Sequence, residues 1–142
     1  MFNPSRDQAR QFFIDAWRKE QAREVLTPLE SLAADIARLH PEYHLLLEQG
    51  DAALTQDWTP ESGEANPFLH LSLHLAIEEQ LSIDQPIGIC SAFAALQARH
   101  GERHTALHEV LECLGETIWN AQRNGGAFDG AAYLGCIRRY PR

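Results

Sequence analysis

The sequence predicts an all-α fold, a single-domain helical bundle of about five to seven helices. Apolar residues recur at three- and four-residue spacing between Pro, Gly and Asn punctuation, as the faces of packed helices require. No stretch alternates apolar and polar residues for long enough to suggest a sheet strand. Helix-opening signatures recur along the chain at Asn3-Pro4, Thr27-Pro28-Leu29-Glu30 and Asn66-Pro67. A length of 142 residues suits one domain with a single core.

Asn3-Pro4 supplies a cap and a proline at the first helical position, and Phe12, Phe13, Ala16 and Trp17 then form the apolar stripe of a helix to about residue 24. Thr27 and Glu30 form a capping box, opening a helix whose Leu29, Leu32, Ala33, Ile36 and Leu39 are expected to face inward. Pro41 disfavours helical backbone at His40, so that helix stops there, and a short one runs from Pro41 to Gln49 with Gly50 behind it. Residues 50–66 read as an irregular connection, in which Trp58 either covers a pocket or, on the plainer account, packs over a hydrophobic edge. Asn66-Pro67 starts a helix to about Leu81, and a Pro86-led helix runs to His100 and ends at Gly101. A long helix spans roughly Glu102 to Asn124 before Gly125-Gly126, and Asp129 caps a short final helix.

Composition removes several function classes. Twelve Lys and Arg stand against 20 Asp and Glu, and the formal charge of −8 speaks against a phosphate-binding surface, so no nucleic-acid partner is expected. The opening residues lack the pattern of a secretory signal, and no window holds the roughly 18 apolar residues of a membrane span, so the expectation is a soluble, cytoplasmic protein without a membrane partner. Cys90, Cys113 and Cys136 are an odd number without C-x-x-C spacing, which reads as buried reduced thiols rather than a disulfide framework or a Cys-rich zinc site. Neither G-x-S-x-G nor a phosphate-binding G-x-x-x-x-G-K-[ST] loop occurs.

The compositional anomaly is seven histidines. Residues 67–81 are apolar in nearly every direction, the mark of a central helix, yet His70, His74 and Glu78 recur on one face at spacing four. The long helix repeats the pattern as His104, His108 and Glu112, with the glutamate further towards solvent. A third copy, His40, His44 and Glu48, is interrupted by Pro41, which leaves His44 and Glu48 as the helical pair and His40 at a cap. With seven His and 13 Glu in the chain, chance supplies roughly 0.03 copies of H-x-x-x-H-x-x-x-E. The sequence holds three.

Neutral imidazole and carboxylate are ligands for Zn, Fe and related metals, and i, i+4 placement brings two of them to one point. The expected metal set is therefore His70, His74, Glu78, His104, His108 and Glu112, with His44, Glu48 and His40 in support, holding one or two transition-metal ions, Fe or Zn by preference. Such a site can serve oxygen or redox sensing or metal-assisted hydrolysis. The competing reading is a non-enzymatic interaction module, in which the rings form a hydrogen-bonded core network and the surface engages a protein partner or a second copy. His100, beside Gly101 at a helix end, reads as complementing the helix dipole.

The run from Asn66 to Pro86, with Met1-Phe2-Asn3-Pro4-Ser5-Arg6 and His40-Pro41-Glu42-Tyr43-His44, resembles a small bacterial family classed as a domain of unknown function. The likeness covers nearly the whole chain and implies no activity. In residue type and helical setting alone, the three stripes resemble the His-rich hemerythrin type of di-metal bundle.

Overall fold

The computed structural model describes residues 6–56, 58 and 66–139. Among the described residues every regular element is helical, and no helix is long and apolar enough to cross a membrane. The expected cap at Asn3-Pro4 lies outside the described residues, as do residues 57 and 59–65 of the connection. The chain divides into two compact units, Met1–Leu75 and Ala76–Arg142.

The first unit opens with α1 (Arg6–Gln21) and α2 (Pro28–Arg38). Thr27 and Glu30 form the expected capping box: the threonine hydroxyl accepts from the Glu30 N–H at 3.1 Å, and the Glu30 carboxylate accepts from the Thr27 N–H at 2.9 Å. Lys19 also donates to Glu30, at 2.7 Å, so the cap ties α2 to α1. The cap fixes the phase of α2, whose buried residues are Glu30, Ala33, Ala34, Ile36 and Ala37. Leu29 and Leu39 therefore do not face inward as expected; they stand in the first turn and at the C-cap, past the ends of the packed stripe, and are exposed. A 3-10 turn at Pro41–Tyr43 leads into α3 (His44–Glu48).

The irregular connection expected over residues 50–66 begins with a further short helix, α4 (Asp51–Leu54). Its carbonyl end is held by buried Arg10, which donates to the carbonyls of Ala53 (3.0 Å), Leu54 (3.0 Å) and Gln56 (2.8 Å). That long-range clamp, from a residue 43 positions earlier, is invisible to local pattern reading. Trp58 does pack at a hydrophobic edge, with its ring against Phe68 and under the Arg10 guanidinium. The core of this unit joins Phe13, Trp17, Ile36, Leu47, Phe68 and Leu71.

Helix α5 (Pro67–Ile83) starts where Asn66 accepts from the N–H groups of Phe68 and Leu69. Beyond Leu75 it belongs to the second unit, with α6 (Ile89–His100), α7 (Arg103–Asn124) and α8 (Gly130–Arg139). Helix α6 begins at Ile89 rather than at Pro86. Asp84 adopts a left-handed φ of 51°, and its carboxylate accepts from the N–H groups of Gly88 and Cys90, so the first free amides of α6 are capped from outside the helix. Left-handed Gly101 and Gly125 end α6 and α7 as expected. Asp129 caps α8 by accepting from Ala132 N–H. Tyr133, fully buried, donates its hydroxyl to Gln80 at 2.7 Å.

The cysteines correct the expectation of reduced, buried thiols. Cys113 on α7 and Cys136 on α8 form a disulfide across a Cα–Cα distance of 5.8 Å, well inside the range the bond needs. The turn at residues 125–129 sets the register that brings them together. Cys90 is exposed, and its thiol donates to the Leu81 carbonyl.

Candidate metal centre

Two histidines of the first unit stand on α5, where spacing four puts His70 and His74 on one face with ring centroids 4.9 Å apart. The third arrives from α2. Pro41 ends that helix, and His40 takes an extended φ of −125° at the break. The break turns its ring towards α5, with centroids 5.0 Å from His70 and 4.7 Å from His74. His40 and His74 are each 1% exposed, whereas His70 is half-buried.

His40 Nδ1 lies 2.8 Å from the Ile36 carbonyl oxygen. A carbonyl only accepts, so Nδ1 carries the proton, and in the neutral ring Nε2 presents its lone pair. That lone pair faces His70 Nε2 at 3.2 Å. Without an ion, His70 donates Nε2–H to His40. The 3.2 Å spacing is close to the roughly 3.3–3.4 Å between adjacent nitrogens on a tetrahedral zinc with bonds of about 2.0–2.1 Å, so both nitrogens could serve as ligands to one ion. Donor atoms of His40, His70 and His74 lie within 4.8 Å of one another, and among the described residues no Asp, Glu or Cys belongs to the group. The set has the chemistry and spacing to hold a metal ion.

Tyr43, which sequence reading passed over, flanks this triangle. Its ring stacks parallel to His40 at 5.6 Å and meets the edge of His70 at 6.0 Å. Burial pushes its phenol above the usual range, with neighbouring Glu42 adding to the effect, so it stays a protonated hydroxyl. Its place was signalled only by its position inside the His40–His44 run.

The other sequence-predicted ligands have different surroundings. His44 Nε2 donates to the Ala37 carbonyl at 2.8 Å, and its ring stacks on Trp17 at 4.3 Å. Glu48 is exposed. Within the second unit, Glu78 accepts a two-pronged bond from Arg103 at 2.8 and 3.0 Å. His104 and His108 form the expected i, i+4 pair on α7, with ring centroids 4.3 Å apart. Glu112 is exposed, as its place towards solvent predicts. His100 Nε2 lies 2.6 Å from Glu109 Oε2 across the Gly101 turn, an ion pair whenever the ring is protonated.

Comparison with known proteins adds a family and no activity. The family model for a domain of unknown function, DUF1841, matches residues 5–139. No curated protein and no solved structure matches the chain.

Proposed function

The chain belongs to the DUF1841 family, and from that premise we propose that it binds a divalent transition-metal ion, zinc or iron by preference, through His40, His70 and His74. One observation carries the reading. His40 is oriented by the Ile36 carbonyl, and its lone-pair nitrogen stands 3.2 Å from His70 Nε2. A ligand histidine ordinarily spends its other ring nitrogen in this way, which fixes the tautomer and the direction of the donor. The alternation of buried His74 and half-buried His70 leaves one side of the triangle towards solvent, where a metal can enter.

The remaining members of the sequence-derived set take secondary places. His104 and His108 form their own i, i+4 pair of metal-ligand type on α7, and substitution tests whether that pair takes up metal. His44, held by Ala37, supports the fold around the centre in this reading, while Glu78 is held by Arg103 within the second unit. Whether the ion serves oxygen or redox chemistry or activates a water follows from which metal it is.

The competing reading is the metal-free interaction module. It draws on the same contacts, since backbone carbonyls satisfy one nitrogen each of His40 and His44, and the Leu39 and Leu45 side chains are exposed apolar surface. Elemental analysis of tag-free protein after dialysis separates the two. The metal reading expects close to one equivalent in the wild type and none in His40→Ala/His74→Ala. Less than about a tenth of an equivalent, with no rise in melting temperature on adding Zn(II) or Fe(II), overturns it, because a real site stabilises the folded state by mass action.

A further inference from the structure

Independently of the metal reading, we propose that Cys136 is a thiol-exchange site: a small zwitterionic thiol enters a groove between α7 and α8, opens the Cys113–Cys136 bond at Cys136 and is held there as a mixed disulfide. The groove measures about 450 Å³ and is lined by Glu116 and Thr117 of α7, Asp129 before α8, and Cys136 and Arg139 of α8. Its volume falls within the range of small-molecule sites. Cys136 belongs to its wall, whereas Cys113 is fully buried and does not. Access decides which sulfur of a disulfide is attacked, so the groove directs the thiol to Cys136. At 4% exposure Cys136 is within reach of a small molecule entering the groove and out of reach of a thiol fixed on a folded protein.

A cation stands beside this position. Spacing of three puts Arg139 on the Cys136 face of α8, and Gly135 leaves it room, since a Cβ there would lie 3.4 Å from a guanidinium nitrogen of Arg139. A guanidinium so placed attracts the thiolate, which is the attacking form. Carboxylates line the groove as well: Asp129 accepts from the Ala132 N–H, and Glu116 is exposed. A thiol that carries both signs of charge, as an amino-acid or small-peptide thiol does, meets a complement for each. The step balances. The thiolate forms a new S–S bond to Cys136 Sγ as the Cys113–Cys136 bond breaks, and the electron pair leaves on Cys113 Sγ, which takes a proton from water. A second thiol then attacks the bound one, so that two thiols are oxidised to one disulfide while both cysteines are reduced. Helix α8 stays docked meanwhile, because Tyr133, Leu134 and Ile137 are buried and Tyr133 is bonded to Gln80.

The probe is glutathione, a tripeptide thiol, added to tag-free Cys90→Ser protein purified without reductant, a background that removes the exposed free thiol. Early time points are quenched in acid, labelled with N-ethylmaleimide in denaturant and mapped by mass spectrometry without reduction. The expected species carries one glutathione on Cys136 and one maleimide on Cys113, with an unchanged circular dichroism spectrum before the quench. Arg139→Gln is expected to slow its formation about two- to fivefold at low salt and less at high salt, with Arg139→Lys restoring most of the rate. Glutathione found on Cys113, exchange no faster than global unfolding, or exchange only with a protein-borne dithiol overturns the proposal. Maleimide on both cysteines without any added thiol overturns it too, since no bond is then present to exchange.

Discussion

Replacing His74 with alanine distinguishes a metal ligand from a packed core histidine, because the two roles respond differently to added metal. His74 is 1% exposed, so its loss opens a cavity whether or not it is a ligand. Removing a buried ring of this size costs about 2–4 kcal/mol. For a chain of 142 residues the unfolding entropy is about 0.3 kcal/mol/K, so each kcal/mol moves Tm by about 3 °C. The metal-free variant is thus expected to melt about 7–13 °C below wild type. Metal at a hundredfold its Kd stabilises the wild type by about 2.7 kcal/mol, or about 9 °C. Differential scanning calorimetry with and without Zn(II) is therefore expected to show that rise in the wild type and none in His74→Ala, over and above the lower starting point. A variant that melts early yet gains the full metal-dependent rise would show that His74 is core and not ligand.

Three further outcomes follow from particular contacts. Reduction of Cys113–Cys136, which closes a sequence separation of 23, is expected to lower stability by about 3 kcal/mol, read by denaturant unfolding with and without reductant; ready alkylation of both thiols in native, unreduced protein would contradict the bond. Cys90 N–H and then Gly88 N–H hold the Asp84 carboxyl below the usual carboxylate range. Its contribution is therefore fully present above the unfolded value of about 3.9 and lost as pH falls through the folded value, so Asp84→Asn should lower stability at neutral pH and converge on wild type in acid, which flattens the acid limb of the stability–pH profile. Arg10→Met keeps the apolar contact with Trp58 and Phe68 but removes the donors to Ala53, Leu54 and Gln56, with an expected cost of about 2–4 kcal/mol and faster hydrogen exchange near α4.

Local chemistry made much of the fold legible. Thr27 with Glu30, Asn66 before Pro67, Gly101, Gly125 and Asp129 each act within a few residues, and the structure uses each as read. Contacts between distant residues were not legible. Arg10 reaches the end of α4, Asp84 reaches past Pro86 to cap α6, and the Cys113–Cys136 bond needs the turn between α7 and α8. The candidate centre divides along the same line. Periodicity on α5 correctly puts His70 and His74 on one face, and the Pro41 break that made His40 look irregular is what frees its ring to meet them. The same periodicity could not see that Ala37 would take His44 or that Arg103 would take Glu78, since neither partner shares a helix with the residue it holds.

A last experiment asks what the histidine triangle is for. A polar cluster in a packed interior is held by hydrogen bonds that replace equivalent bonds to water, so its net contribution to stability is small, and apolar replacement of all partners together is often neutral or favourable. His40→Leu/His70→Leu/His74→Leu removes every member of the triangle at similar volume. The carbonyl that loses its bond to His40, that of Ile36, still accepts from the Leu39 N–H at 3.1 Å, so no backbone group is stranded there. If the rings exist to bind metal, the triple variant should unfold at a denaturant concentration equal to or above that of metal-free wild type, while metal uptake disappears. If instead they serve as a core network that specifies the fold, the same variant should lose cooperativity in unfolding or fail to fold, and a single variant such as His70→Leu, at the half-buried corner, should already broaden the transition. A cooperative, stable and metal-blind triple variant would show that the histidines are kept in an apolar interior for the ligand they bind and not for the packing they provide.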